Sequence, residues 1–188
     1  MFRPYIKRTY ILVLVAMINL LLVYLSYQSF SFTKSQDYEL KIRAATIMNN
    51  ALDLTKGLDN PKVIDRFKSG LVGVDSTDSQ MTTKKGFLES KVATTNPNFA
   101  AVFIDWFSTI GISSGISNIP DTIAVSMTGS FPGANIAFLS ACKASNVYPV
   151  IISSIGSSSW GANQIDKTWI EIENTLIDAN FFNYKSKA

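Results

Sequence analysis

The sequence predicts an α/β fold: an N-terminal transmembrane helix followed by one small α/β domain with a parallel β-α-β core. Three observations carry this reading. Arg8 is followed by no charged residue until Lys34, and the stretch between them is largely apolar. Two β-branched apolar runs, residues 122–125 and 150–152, flank an alanine-rich segment of helical character. Each run leads into a glycine- and serine-rich loop, and the two loops echo each other. The first reads Gly129-Ser130-Phe131-Pro132-Gly133-Ala134-Asn135. The second reads Gly156-Ser157-Ser158-Ser159-Trp160-Gly161-Ala162-Asn163. Strand, small-residue loop, helix is the order in which an open parallel sheet presents binding loops at the carboxyl ends of its strands.

The uncharged run reaches the ~20 residues that cross a bilayer as a helix. Arg3, Lys7 and Arg8 precede it, so the positive-inside rule keeps residues 1–8 in the cytoplasm and puts the rest of the chain outside. Tyr5, Tyr10, Tyr24 and Tyr27 bracket the span at interfacial depth. A cleaved signal peptide has a shorter apolar core and a small-x-small site, and Ser29-Phe30-Ser31 is a poor one. The expected organisation is a cytoplasmic N-terminus at 1–8, a signal-anchor helix at 9–30, a helical stalk at 31–69 and an α/β domain at 70–188. The expected location is the cell membrane, single-pass, with the C-terminal domain extracytoplasmic. Setting aside Arg3, Lys7 and Arg8 leaves 14 of the 17 cations, equal to the 14 acidic residues. The outer domain is therefore neutral and lacks the basic stripe of a nucleic-acid binder.

After the anchor, Leu40, Ala44, Ile47, Ala51, Leu54 and Leu58 mark a helix with a narrow apolar seam. That seam packs on the domain or pairs with a second copy, and Gly57 lies near its end. Asn60-Pro61 then opens a short helix through Phe67. Residues 70–83 read as a polar linker, whose Asp75 and Asp78 are too few carboxylates for a calcium loop. Lys84, Lys85 and Lys91 follow without a clear local partner. Asn96-Pro97 opens the next helix, with Phe99, Val102, Phe103, Trp106, Phe107 and Ile110 on its apolar face and Asp105 toward solvent. Gly111 ends it.

The core then follows as a strand at 121–127, a helix at 133–145 and a strand at 148–154. Parallel pairing with a right-handed crossover is the expectation for this order, with Val125 and Ile151 as interior neighbours. A last helix carries Trp169, Ile172, Leu176 and Ile177, and a polar tail runs from 183 to 188. Two parallel strands make a poor sheet, because parallel sheets are normally buried on both faces. A third strand is expected from residues 70–74 or from the segment near Val92. Failing that, the chain is a shortened version of something longer or borrows an edge from a partner.

The absence of histidine excludes a Ser-His-Asp or Cys-His nucleophile and every histidine-based zinc site. No metal or cofactor is expected. Cys142, the only cysteine, reads as a small buried hydrophobe. Parallel strands place their carboxyl ends on one side, so Ser130, Asn135, Ser157 and Asn163 are expected to face a shared cleft. Thr95 and Asn96 are a third contribution. Thr128, Gly129, Gly156 and Trp160 complete the expected ligand-binding set; the catalytic residues are unassigned.

Three ordered motifs resemble signatures of the poly-γ-glutamate system protein family. They are Thr94-Thr95-Asn96-Pro97-Asn98-Phe99-Ala100-Ala101, then Thr128-Gly129-Ser130-Phe131-Pro132 with Asn135, then Pro149-Val150-Ile151-Ile152-Ser153-Ser154 with Trp160-Gly161-Ala162-Asn163. The resemblance runs from Ala44 to Leu176. Proteins of this family accompany the ligase and membrane subunits that make poly-γ-glutamate, an extracellular anionic polymer, and many continue well beyond the point where this chain stops. The resemblance implies a membrane-anchored extracytoplasmic accessory protein of capsule polymer biosynthesis or export, binding poly-γ-glutamate or another synthase subunit. The alternative is a hydrolase or transferase acting on the polymer. Its nucleophile would be Ser130 or Thr128, with a lysine as base. A third reading is a structural subunit that docks other membrane proteins through its helical seam and sheet edge.

Overall fold

A computed structural model divides the chain into two units, Met1–Gln36 and Asp37–Ala188. It describes residues 8–31, 33–56, 65, 68–75, 79–112 and 120–187. Arg3, Tyr5, Lys7, Gly57, Leu58, Asn60, Pro61, Phe67 and Asp78 lie outside the described residues. So does the segment 113–119.

In the first unit, α1 (Thr9–Ser29) is a 21-residue helix. At 1.5 Å per residue it is about 30 Å long, the thickness of a hydrocarbon core. It contains no charged residue and is long and apolar enough to span a membrane. Asn19, its one mid-span amide, donates to the Val15 carbonyl at 2.8 Å, which meets part of its hydrogen-bonding need within the helix. At the two ends Arg8 donates to the Tyr10 hydroxyl at 2.8 Å and Gln28 to the Tyr24 hydroxyl at 3.0 Å.

In the second unit the helices are α2 (Tyr38–Thr55), α3 (Leu88–Thr94), α4 (Phe99–Thr109), α5 (Pro132–Ser145) and α6 (Trp169–Asp178). Of the two fates open to the α2 seam, packing on the domain is the one seen. Ala44, Met48, Ala51 and Leu52 are buried against α4 and α5, while Leu54 is exposed. The buried stripe is thus turned from the 4-3 seam toward Met48 and Leu52. The same rotation occurs in α4. Its core face is Ala100, Ile104 and Phe107, and Trp106 and Ile110 face solvent. Phe103 and Phe107 set their ring edges on Phe138 of α5 at 5.4 and 5.8 Å, and that contact fixes the roll of the helix. Asp105 stays exposed and pairs with Lys41 of α2 at 2.6 Å. Gly111 adopts φ 77°, and the Ile112 N–H reaches back to the Phe107 carbonyl at 2.9 Å, a Schellman closure.

The core strands are β2 (Thr122–Thr128) and β3 (Tyr148–Ser154). They pair in parallel across α5, and Val125 lies opposite Ile151. Ile151 is fully buried and Val125 half-buried. One face of the pair carries Ile123, Val125, Met127 and Ile151, which join the hydrophobic core with α5 and α6. The opposite face leaves Tyr148, Val150 and Ile152 exposed.

Neither expected source supplies a third strand to this pair. Val92 lies in helix α3. Residues 70–74 instead run beside the second loop, where Gly73 donates to the Trp160 carbonyl and Trp160 to the Val74 carbonyl. The C-terminal residues, expected as a polar tail, take the edge of β3. Phe182 is buried, the Lys187 N–H bonds the Ile151 carbonyl at 2.9 Å, and Ser186 Oγ reaches both Glu173 and Ser153. Serine and a main-chain amide can do this because the buried Glu173 carboxylate needs donors.

Two short ladders finish the unit. Strand β1 (Thr82–Lys84) pairs in parallel with β4 (Ser157–Ser158), and β5 (Asn163–Gln164) forms a hairpin with β6 (Lys167–Thr168). Glu171 then accepts the Thr168 N–H at 2.7 Å, a capping box that starts α6.

Replacing Ile151 with Ala should cost about 2–5 kcal/mol, and replacing its exposed neighbour Ile152 with Ala no more than about 0.5. Urea unfolding of the detergent-solubilised chain, followed by tryptophan fluorescence, checks the contrast. Equal effects would show that the two side chains do not occupy opposite faces.

Candidate functional site

Strands β2 and β3 end side by side at Thr128 and Ser154, so the loops that follow them leave one edge of the sheet. The loops bond directly to each other. Gly129 donates to the Gly156 carbonyl at 3.2 Å, and Ala162 donates to the Gly129 carbonyl at 2.7 Å. Ser157 Oγ donates to the same Gly129 carbonyl at 2.9 Å, and the Ser158 N–H donates to Ser130 Oγ at 3.0 Å. The glycines permit this approach. A Cβ on Gly161 would stand 2.5 Å from the Gly129 carbonyl oxygen and 2.4 Å from Ser157 Oγ. Small residues here therefore serve loop-on-loop packing, whereas the sequence had suggested room for a ligand.

The predicted side chains divide accordingly. Asn163 is fully buried and holds both the N–H and the carbonyl of Val74, as well as Thr82 Oγ1. Ser157 is fully buried against main-chain carbonyls. Asn135 donates to the Thr128 carbonyl, and Thr128 Oγ1 accepts the Ser130 N–H. Thr95 Oγ1 turns back to the Val92 carbonyl, and Asn96 accepts the Asn98 N–H. Asn163 and Ser157 are thus turned inward, away from any open cleft, and the others each make a hydrogen bond within their own turn. Trp160 holds φ 65°, a left-handed conformation costly for a bulky residue. Its two main-chain bonds to 73–74 hold it there.

The side chain that both loops surround is Lys91. Helix α3 carries it, and the residue is 3% exposed. Its Nζ lies 2.5 Å from the Ser130 carbonyl oxygen and 2.7 Å from Ser158 Oγ. The Phe131 ring covers it with its centroid 3.5 Å away, a cation–π contact. Among the described residues no carboxylate pairs with it. Burial, and then the charge of Lys84, lowers its pKa from 10.5 to about 8. Lys84 and Lys85 stand exposed on and just after β1, which is paired to the second loop.

Ser158 and Lys91 were both missing from the expected set, and Lys91 read only as a cation without a clear local partner. A lysine in a seven-residue helix looks like an ordinary solvated residue. Only its proximity to the two loops distinguishes it. Neither expected nucleophile, Ser130 nor Thr128, has its hydroxyl on a lysine among the described hydrogen bonds; Ser158 does. Cys142 is fully buried in α5, and burial pushes its thiol well above the ordinary range.

The Lys91 shift sets a sign. Its folded pKa lies below the unfolded one, so the unfolded chain binds more protons between about 8 and 10.5, and Lys91 makes stability rise with pH across that window. Cys142 and Tyr184 are shifted upward by burial and act with the opposite sign. The difference between wild type and Lys91→Met isolates the lysine. Urea unfolding should show wild type gaining on the variant from about pH 8 to about 10. A difference that is flat with pH would place Lys91 in water.

Compared with known proteins, the chain matches no family model, no curated protein and no solved structure.

Proposed function

We propose that this chain is a membrane-anchored extracytoplasmic protein of poly-γ-glutamate biosynthesis or export, and that its paired loops and their lysines contact the polymer. The observation that carries this reading is that exposed Lys84 is paired with the second of two loops that leave the same sheet edge, with exposed Lys85 next to it in the chain. A γ-linked polymer of glutamate presents one free carboxylate per residue, so its recognition calls for cations spaced along a backbone. Lys84 and Lys85 supply them on an exposed segment. The resemblance of the three motifs to the poly-γ-glutamate system family points to the same polymer.

The anchor supports the location. Helix α1 is long and apolar enough to span a membrane. Arg3, Lys7 and Arg8 precede it, which favours a cytoplasmic N-terminus and an outer domain. A C-terminal tag should then be digested by protease added to intact cells, while the protein stays in the membrane fraction. Recovery of a soluble, processed domain as the main species would make the segment a cleaved signal.

For the polymer, Lys84→Ser with Lys85→Ser should weaken binding to purified poly-γ-glutamate several-fold and lower polymer output. Lys185→Ser, an exposed control, should change neither. Added salt should weaken the wild-type interaction, since exposed charges are screened. Unchanged binding in the double variant would end the proposal. Gly161→Val does not serve as a test, because its side chain would collide with the Gly129 and Ser130 carbonyls.

A further inference from the structure

We infer that Ser158 and Lys91 form a nucleophile–base pair for acyl transfer at the γ-glutamyl amide bond, with Ser158 Oγ attacking and Lys91 Nζ carrying the proton. The γ-glutamyl identity of the acyl group rests on the proposed function; the pair itself does not.

The argument starts from the contacts of Nζ. It has three: the Ser130 carbonyl oxygen at 2.5 Å, Ser158 Oγ at 2.7 Å and the face of Phe131. An ammonium fills them with its three N–H groups. A neutral amine has two N–H groups and one lone pair. The carbonyl and the ring face accept N–H only, so the lone pair falls to the contact that can also donate, the Ser158 hydroxyl. Loss of one proton therefore turns Ser158 Oγ–H toward Nζ without moving a heavy atom. No carboxylate among the described residues holds Lys91 charged, and Lys84 is the charged group whose field reaches it. Burial and that like charge bring its pKa to about 8, where a lysine works as a general base.

The surroundings fit an acyl group. The Ser158 main chain is fixed by the pairing of β4 with β1 and by its N–H bond to Ser130 Oγ, so the hydroxyl is carried on a rigid element. On one side it faces Gly86. A Cβ there would stand 3.1 Å from Ser158 Oγ and 3.3 Å from Lys91 Cε. Exposed Lys85 and Phe87 flank that glycine, outside any helix or strand. Ser158 is 3% exposed, so this segment must shift for substrate to enter, and at rest it keeps water from the pair.

The step balances without a cofactor. Ser158 Oγ adds to the amide carbonyl carbon as its proton moves to Lys91 Nζ. The tetrahedral adduct collapses, the C–N bond breaks, and the leaving amine takes the proton from Lys91. A γ-glutamyl ester on Ser158 remains. Water or a second amine adds to the ester carbonyl and passes a proton to Lys91; the acyl C–Oγ bond then breaks, and Ser158 Oγ leaves with the proton returned by Lys91. Water gives hydrolysis, and an amine gives transfer.

The test uses the full-length, detergent-solubilised protein and an alkyne-bearing β-lactone, whose strained carbonyl acylates an activated hydroxyl. Peptide mass mapping of the wild type should find the adduct on Ser158, forming faster as pH rises through about 8. An adduct on Ser130 or Thr128, or none at all, would overturn the pair, and this arm needs no variant. Lys91→Met should slow the adduct at least about tenfold, and Ser90→Ala should leave it unchanged. A second arm supplies a γ-linked glutamate oligomer with hydroxylamine as acceptor. Wild type should give γ-glutamyl hydroxamate, and Ser158→Ala should not. Labelling of Ser158 without turnover would overturn the γ-glutamyl substrate and leave the pair standing. Turnover that survives Ser158→Ala would overturn the nucleophile. Wild-type polymer binding in the Lys84→Ser, Lys85→Ser variant, alongside Ser158 labelling, would reject the proposed function alone.

Discussion

The Gly129 peptide holds the domain's working edge together. Its N–H goes to the Gly156 carbonyl, and its own carbonyl takes Ala162 N–H and Ser157 Oγ. Through that one unit the turn after β2 is tied to the turn after β3. A parallel pair on its own ends in two independent loops. Here the loops become one layer, and the layer closes over Lys91. Without it, the Ser130 carbonyl and Ser158 Oγ would not meet around a single nitrogen. The density of glycine and serine follows from that closeness. A Cβ at Gly161 would leave no room for the carbonyls of Gly129 and Ser130.

A two-stranded parallel sheet also needs help at its edges and faces. Helix α5 covers one face, with α2 and α4 packed against it and α6 beside β3. The chain after α6 takes the β3 edge through Lys187 and anchors itself with Ser186 on the buried Glu173. The segment 70–74, one of two expected sources of a third strand, is used to support the second loop at Trp160. The support goes to the site end of the sheet. That allocation holds Trp160 in a left-handed conformation that its own chemistry disfavours.

Much of the framework was legible in the residues. The strand at 148–154 and the helix through Ser145 follow from β-branched and alanine-rich runs, and their parallel pairing follows from the crossover rule. Periodicity found α2 and α4 but misjudged their roll; in α4, aromatic packing on Phe138 decides which neighbouring stripe is buried. The tail misled for another reason: a polar segment can be docked if a buried carboxylate needs its donors, and Glu173 gave no local sign of being buried. At the site, the meeting of the two loops was legible. The inward turning of Asn163 and Ser157 was not, since an amide or hydroxyl reads alike whether it binds a ligand or a neighbouring main chain.

The sequence by itself determined the apolar N-terminal helix, the order of strand, loop and helix, and the exclusion of histidine chemistry. These depend on composition and on short-range periodicity, which a linear reading contains. Only the tertiary structure decided that Lys91, 39 residues before Ser130 and 67 before Ser158, is the group both loops surround. It also decided that burial and Lys84 lower its pKa. Desolvation and hydrogen-bond partnership depend on which distant segments pack together. The spacing of residues along the chain does not contain that information.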